Sequence, residues 1–140
     1  MVKKLSIIIP VFNEEETIYK LLGIVQRVVL ISNIEKELIV VDDCSTDGSL
    51  DEIKRYISQT PDQIITLVQH HANIGKGGSI RTGIQKANGD YTIIQDADLE
   101  LNPSEYNQLL EPIINKTADI VYGSRFIGST KHEKESAAHR

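Results

Sequence analysis

Short apolar runs alternate with helix-period segments along this chain, and that alternation is what most constrains its fold. Residues 5–11, 38–41, 64–68, 91–95 and 120–122 are runs rich in Ile, Val and Leu that lack the every-second-residue polarity of a half-wet strand. Such runs read as strands covered on both faces. Between them, Ile18, Leu21, Leu22, Val25, Val28 and Val29 share one helical stripe through about residue 31. Leu50, Ile53 and Ile57 form a second stripe, Ile80, Ile84 and Ala87 a third within 78–88, and Leu109, Leu110, Ile113 and Ile114 a fourth. Asn13, three residues before Glu16, predicts a capping box for the first helix, and Asp47 or Ser49 caps the second. Gly89 reads as a helix stop, and Asn102, Pro103 and Glu105 as the start of the fourth helix.

The order βαβαβαβαβ predicts an α/β fold: a doubly wound, mostly parallel sheet with helices on both faces. A chain of 140 residues is the size of one domain, with 40% hydrophobic residues to build its core. The net charge of −5 disfavours a nucleic-acid binder. Cys44 is the only cysteine, so an intrachain disulfide and a thiolate zinc site are excluded, and a cytoplasmic location is expected. No apolar run reaches the roughly 18–20 residues of a membrane span. Residues 128–140 are polar and without period, and read as loop or disorder.

In doubly wound sheets, ligands bind outside the carboxyl ends of the strands, so those ends carry the functional argument. After the first run, Glu14 is placed to hydrogen-bond a nucleobase edge, while Glu15 and Glu16 equally suit a helix first turn. After the second come Asp42 and Asp43. Adjacent carboxylates directly behind a buried strand need a base, ribose or metal contact, or solvent, to be tolerated. Asp47 and Gly48 fit an ordinary turn. After the third, Gly75, Lys76, Gly77 and Gly78 precede a helix and suit an anion, or a flexible turn. They match neither the dinucleotide fingerprint nor a P-loop. After the fourth, Asp96 and Asp98 stand at i and i+2. On extended backbone that spacing points both carboxylates the same way, which suits Mg²⁺ or Mn²⁺ bridging phosphates. After the fifth, Arg125 pairs with an acid or clamps a phosphate. His70 and His71 are adjacent. One is expected to be half-buried and the other wet, with neither a ligand.

Taken together, Ser-Ile-Ile-Ile-Pro-Val-Phe-Asn-Glu at 6–14, Val-Val-Asp-Asp-Cys-Ser-Thr-Asp-Gly at 40–48, Asn-Ile-Gly-Lys-Gly at 73–77, Asp-Ala-Asp at 96–98 and Gly-Ser-Arg-Phe at 123–126 resemble the family 2 glycosyltransferases. The look is that of the branch typified by dolichyl-phosphate mannose synthase and bacterial polyprenyl-phosphate glycosyltransferases. The resemblance implies a nucleotide-diphospho-sugar transferase (GT-A) fold and inverting transfer from a UDP- or GDP-sugar to a lipid phosphate or glycan acceptor. It implies that Pro10, Val11, Glu14, Asp42 and Asp43 line the nucleoside pocket, and that Gly75 and Lys76 lie beside the nucleoside or diphosphate. Asp96 and Asp98, with Ala97 between them, would hold a divalent cation on the diphosphate. Glu100 would lie near metal and sugar, and Arg125 would meet donor or acceptor phosphates. Asp96, Asp98 and Arg125 are thus the implied catalytic residues.

Members of the family normally continue beyond the Gly-Ser-Arg segment. Residues 1–127 are therefore expected to be the donor-binding part and 128–140 a tail or the start of an acceptor region. Membrane contact would be peripheral or through regions beyond this chain. Three other readings remain open. A phospho-receiver would use Asp42 and Asp43 as its acidic pocket and Asp96 as phosphoacceptor, but its acidic pair should follow the first strand. A dehalogenase-like phosphatase would carry its Asp-x-Asp on the first strand. A non-catalytic nucleotide-sugar module is the third.

Overall fold

A computed structural model describes residues 4–98, 102, 105–114 and 126–127. Its elements are β1 (Lys4–Val11), α1 (Ile18–Arg27), β2 (Glu35–Asp42), α2 (Ser49–Gln59), β3 (Ile65–Gln69), α3 (Gly75–Lys86), β4 (Tyr91–Ile94), α4 (Tyr106–Ile114) and β5 (Phe126–Ile127), with a 3₁₀ turn at Ile31–Asn33. The sheet order is β3-β2-β1-β4-β5. β1 through β4 pair in parallel, and β5 pairs antiparallel with β4. The α/β architecture expected from the alternation is present. The run at 120–122, expected as the fifth strand, lies outside the described residues, as does the tail at 128–140.

Central β1 explains why its run is uninterrupted. Leu5, Ile7, Ile9 and Val11 face the larger core with α1, α2 and α4, whereas Ile8 faces α3 with Ile39, Val41 and Ile94. Both faces are buried, and each Ile so covered stabilises the fold by about 1.5–3 kcal/mol. α3 lies so close to the sheet that a Cβ at Gly83 would sit 2.5 Å from Ile8 Cγ2.

Several local expectations are overridden by long-range bonds. Asn13 does not cap α1. It lies at φ 55°, and its Oδ1 accepts the amides of Thr46 (2.8 Å) and Asp47 (3.3 Å) in the loop after β2. α1 begins at Ile18 and ends at Arg27, short of residue 31, where Lys36 Nζ donates to the carbonyls of Val25, Gln26 and Val28. α3 starts at Gly75, not residue 78, because Asp43 takes the Ile74 and Gly75 amides. Gly89 is not the helix stop either: α3 ends at Lys86, and a Cβ on Gly89 would meet the Ser6 backbone nitrogen at 2.7 Å. The glycine lets the turn before β4 lie on β1. Buried Glu37, on β2 just ahead of the second run, secures that turn through Ser6 Oγ (2.6 Å) and the Asn88 amide (2.9 Å). No helix among the described residues is long and apolar enough to cross a membrane.

Candidate functional site

The parallel strands deliver their loops to one edge of the sheet. Past the ladders, the Asp43 amide still bonds Val11 O, His70 bonds Asp42 O and Gln95 bonds Ile8 O. A cleft of about 330 Å³ opens there. Pro10 and Val11 line it from the end of β1, Phe12 and Glu14 from the loop that follows, Asp43 from just past β2, Asn73 from the loop before α3, and Gly75, Lys76 and Ser79 from the start of α3. Asp96, Ala97 and Asp98 close it after β4.

The loops after β1 and β2 are laced together. Besides the Asn13 bonds, Ser45 Oγ accepts the Asn13 amide (3.0 Å), Ser49 Oγ accepts the Glu14 amide (2.7 Å) and Glu15 Oε2 accepts the Gly48 amide (2.8 Å). Neither expected residue is the cap of α2, which is Gly48, but Asp47 Oδ1 receives the Ser49 hydroxyl (2.6 Å) and amide (2.8 Å) at the first residue of the helix.

Adjacent Asp42 and Asp43 part ways because strand residues alternate faces. Asp42 turns to the α1 and α2 side. It is buried and is not among the cleft-lining residues, its Oδ2 receives the Ser45 amide at 3.4 Å, and its buried Oδ1 has no hydrogen-bond partner among the described residues. Asp43 turns to the α3 side. Its carboxylate accepts from Ile74 N–H, Gly75 N–H and His70 Nδ1, each at 2.9 Å. Burial pushes its pKa up, but those bonds outweigh burial and hold it below the ordinary aspartate value. His70 is half-buried and His71 exposed, as their adjacency predicts.

Lys76, on the first turn of α3, reaches Asp96 Oδ1 at 2.5 Å. Asp96 and Asp98 line the same cleft, but not by the extended i, i+2 geometry expected for them. The chain leaves β4 at Ile94 and turns at Ala97 and Asp98. Ala97 is buried, and its carbonyl accepts Thr17 Oγ1 at 2.8 Å. Glu100 and Arg125 lie outside the described residues. Sequence reasoning missed Phe12, Asn73 and Ser79 as cleft residues, and Thr17 and His70 as their supports. Phe12, an exposed aromatic side chain directly after β1, was the one with a visible signal.

Comparison with known proteins agrees with this layout. The family model for glycosyl transferase family 2 matches residues 6–140. An undecaprenyl-phosphate 4-deoxy-4-formamido-L-arabinose transferase of Photorhabdus laumondii is 33% identical over 139 residues, covering 99% of this chain and 40% of the relative. A dolichol-phosphate mannosyltransferase of Pyrococcus furiosus is 31% identical over 130 residues, covering 93% of this chain and 35% of the relative. The chain thus spans less than half the length of these relatives. A mannosyltransferase from Pyrobaculum calidifontis, solved with GDP-Man and Mn²⁺, superposes with a TM-score of 0.64 at 29% identity, over 70% of this chain and 28% of that one. S. aureus TarS (1–349) with UDP superposes with a TM-score of 0.70 at 27% identity, over 84% of this chain and 34% of that one. These matches, with a whole βα unit ahead of the Asp42–Asp43 pair, leave the receiver and phosphatase readings without support. The chain belongs to glycosyl transferase family 2.

Proposed function

We propose that the cleft is the donor site of an inverting glycosyltransferase that takes a UDP- or GDP-linked sugar and delivers it to a polyprenyl phosphate. One observation carries this reading: Asp43, Lys76, Asp96 and Asp98, from three separate strand ends, converge on one cleft. The relatives' names support the lipid-phosphate acceptor, and the ligands of the solved neighbours support the nucleotide donor. Residues 1–127 are assigned to the donor-binding part.

In this reading Pro10, Val11, Glu14 and Asp43 receive the nucleoside, with Asp42 backing them. Gly75 and Lys76 face the diphosphate: the Gly75 amide is held by Asp43, and the Lys76 ammonium is the group that suits an anion. Asp96 and Asp98 are hard oxygen donors. Among the described residues no group of three or more His, Cys, Asp or Glu is placed to hold a cation alone. Two carboxylates fit a cation of the Mg²⁺ or Mn²⁺ type, which keeps waters and shares substrate phosphates. When bound, such a cation neutralises charge on the leaving nucleoside diphosphate. Lys76 adds a positive charge to the same leaving group. Glu100 near the sugar and Arg125 on a phosphate extend the site by family resemblance. A lipid phosphate is already anionic, so no general base is assigned. A lipid-phosphate acceptor brings the protein to a membrane surface, which this reading takes to be the cytoplasmic one.

A thermal-shift panel of UDP- and GDP-sugars, with and without Mn²⁺, tests the donor reading, since stabilisation follows affinity. A metal-dependent rise in Tm with one nucleotide class is expected. No shift with any nucleotide sugar overturns it.

A further inference from the structure

Beside the cleft, a chain of polar contacts runs through a residue that none of the strand-end motifs contains. His70 Nδ1 lies 2.9 Å from Asp43 Oδ1, and its Nε2 lies 2.9 Å from Thr82 Oγ1. The side chains of His70 and Asp43 are only 12% and 4% exposed, so water does not substitute for these bonds. A carboxylate only accepts, so Nδ1 carries the proton. The Thr82 hydroxyl also lies 3.1 Å from the Gly78 carbonyl, one turn back in α3. Its single proton goes to Nε2 or to Gly78, and in either arrangement Nδ1–H stays on Asp43.

The order Asp–His–Thr is that of an activated hydroxyl. Thr82, however, is not among the cleft-lining residues, and its hydroxyl is engaged within the helix. The chain of bonds therefore acts on position. Asp43 Oδ1 and Oδ2 also receive the Ile74 and Gly75 amides, at the entry to α3 where Gly75 adopts φ +90°. The next residue is Lys76, which reaches across the cleft. An aspartate χ2 is a soft torsion, so without a second anchor the carboxylate can swing off those amides.

We propose that His70 is a positioning residue for the diphosphate end of the cleft. By pinning Asp43 onto the Ile74 and Gly75 amides and tying itself to α3 through Thr82, it sets where Lys76 stands. This rests on the donor-site reading and adds to it the residue that holds the phosphate-facing turn in place.

The test pairs amide exchange by NMR with calorimetry of UDP and GDP, on the whole chain and its His70→Ala and His70→Asn variants. Asparagine keeps an N–H near the Nδ1 position. In His70→Ala the Ile74 and Gly75 amides should exchange about tenfold faster, the scale of one lost hydrogen bond to a charged group, while β1 and β2 amides hold. Affinity for UDP and GDP should fall by about the same factor. His70→Asn should restore most of both. Should His70→Ala fail to fold, Thr82→Val is read the same way with smaller changes. Unchanged exchange at 74 and 75, unchanged diphosphate affinity, or no rescue by asparagine would each overturn the proposal. A wild-type chain that binds no nucleoside diphosphate overturns the donor reading itself. Wild-type binding left unchanged by His70→Ala overturns the role of His70 alone.

Discussion

Lys76 Nζ lies 2.5 Å from Asp96 Oδ1, an ion pair that spans the cleft from the first turn of α3 to the end of β4. The lysine side chain is 50% exposed, so the pair adds little to stability. Its interest is positional: the lysine proposed to meet a phosphate and the carboxylate proposed to meet a cation hold each other.

Lys76→Met is therefore expected to change unfolding free energy by no more than about 0.5 kcal/mol. Its affinity for UDP or GDP should fall about tenfold, the loss of one charge-assisted contact. Calorimetry beside urea denaturation reads both numbers. A stability loss without an affinity loss would make Lys76 merely structural.

Asp98 is exposed and lines the same cleft. Asp98→Asn should leave the fold intact and abolish the part of nucleotide-sugar stabilisation that depends on Mn²⁺. Thermal shifts with Mn²⁺ and with chelator, compared between wild type and variant, measure that part directly.

Asp43 predicts an acid limb. Its folded-state pKa is held below the ordinary value of 3.8, because the bonds from Ile74, His70 and Gly75 outweigh the opposing effect of burial. A depressed carboxylate stabilises the fold above its unfolded pKa, and that contribution is lost as pH falls through the folded value. Unfolding free energy should therefore drop as pH goes below 3.8, and drop less steeply in Asp43→Asn. Parallel slopes for the two proteins would remove Asp43 as the cause.

Gly83→Ala places a Cβ 2.5 Å from Ile8 Cγ2 and 3.0 Å from Ile8 Cγ1, on the central strand. Ile8 is fully buried and branched at Cβ, so a loss of about 1–3 kcal/mol is expected, as for overpacked cores. Chemical denaturation measures it.

Glu37→Ala removes the buried acceptor of Ser6 Oγ and the Asn88 amide. The predicted cost is about 3 kcal/mol. The network sits at the amino end of the strands, away from the cleft, so nucleotide affinity of the folded protein should be unchanged. A parallel loss of affinity would show that the two ends of the sheet are coupled.

The strands were legible because burial on both faces leaves an uninterrupted apolar signature. Leu5, Ile7, Ile8 and Ile9 are all fully buried, as their run required. The strand-end residues Pro10, Val11, Glu14, Asp43, Gly75, Lys76, Asp96, Ala97 and Asp98 were legible as a group because a parallel sheet collects its carboxyl ends. Asn13 misled because a capping-box spacing is local, whereas its side chain is satisfied by amides more than thirty positions away. Asp96 and Asp98 meet in the cleft for a different reason than their spacing suggested: a turn, braced by Thr17 on the Ala97 carbonyl, brings them there.

The sequence by itself determined the α/β class, the succession of elements from β1 to α4 and the edge of the sheet where polar chemistry gathers. All of these follow from hydrophobic period and strand-end composition. Only the tertiary structure decided that Asp42 turns away while Asp43 clamps α3, that Lys76 meets Asp96, and that His70 stands behind them. Those outcomes depend on which face each strand residue takes and on which distant amides need an acceptor. Hydrogen bonds between segments far apart in sequence leave no period to read.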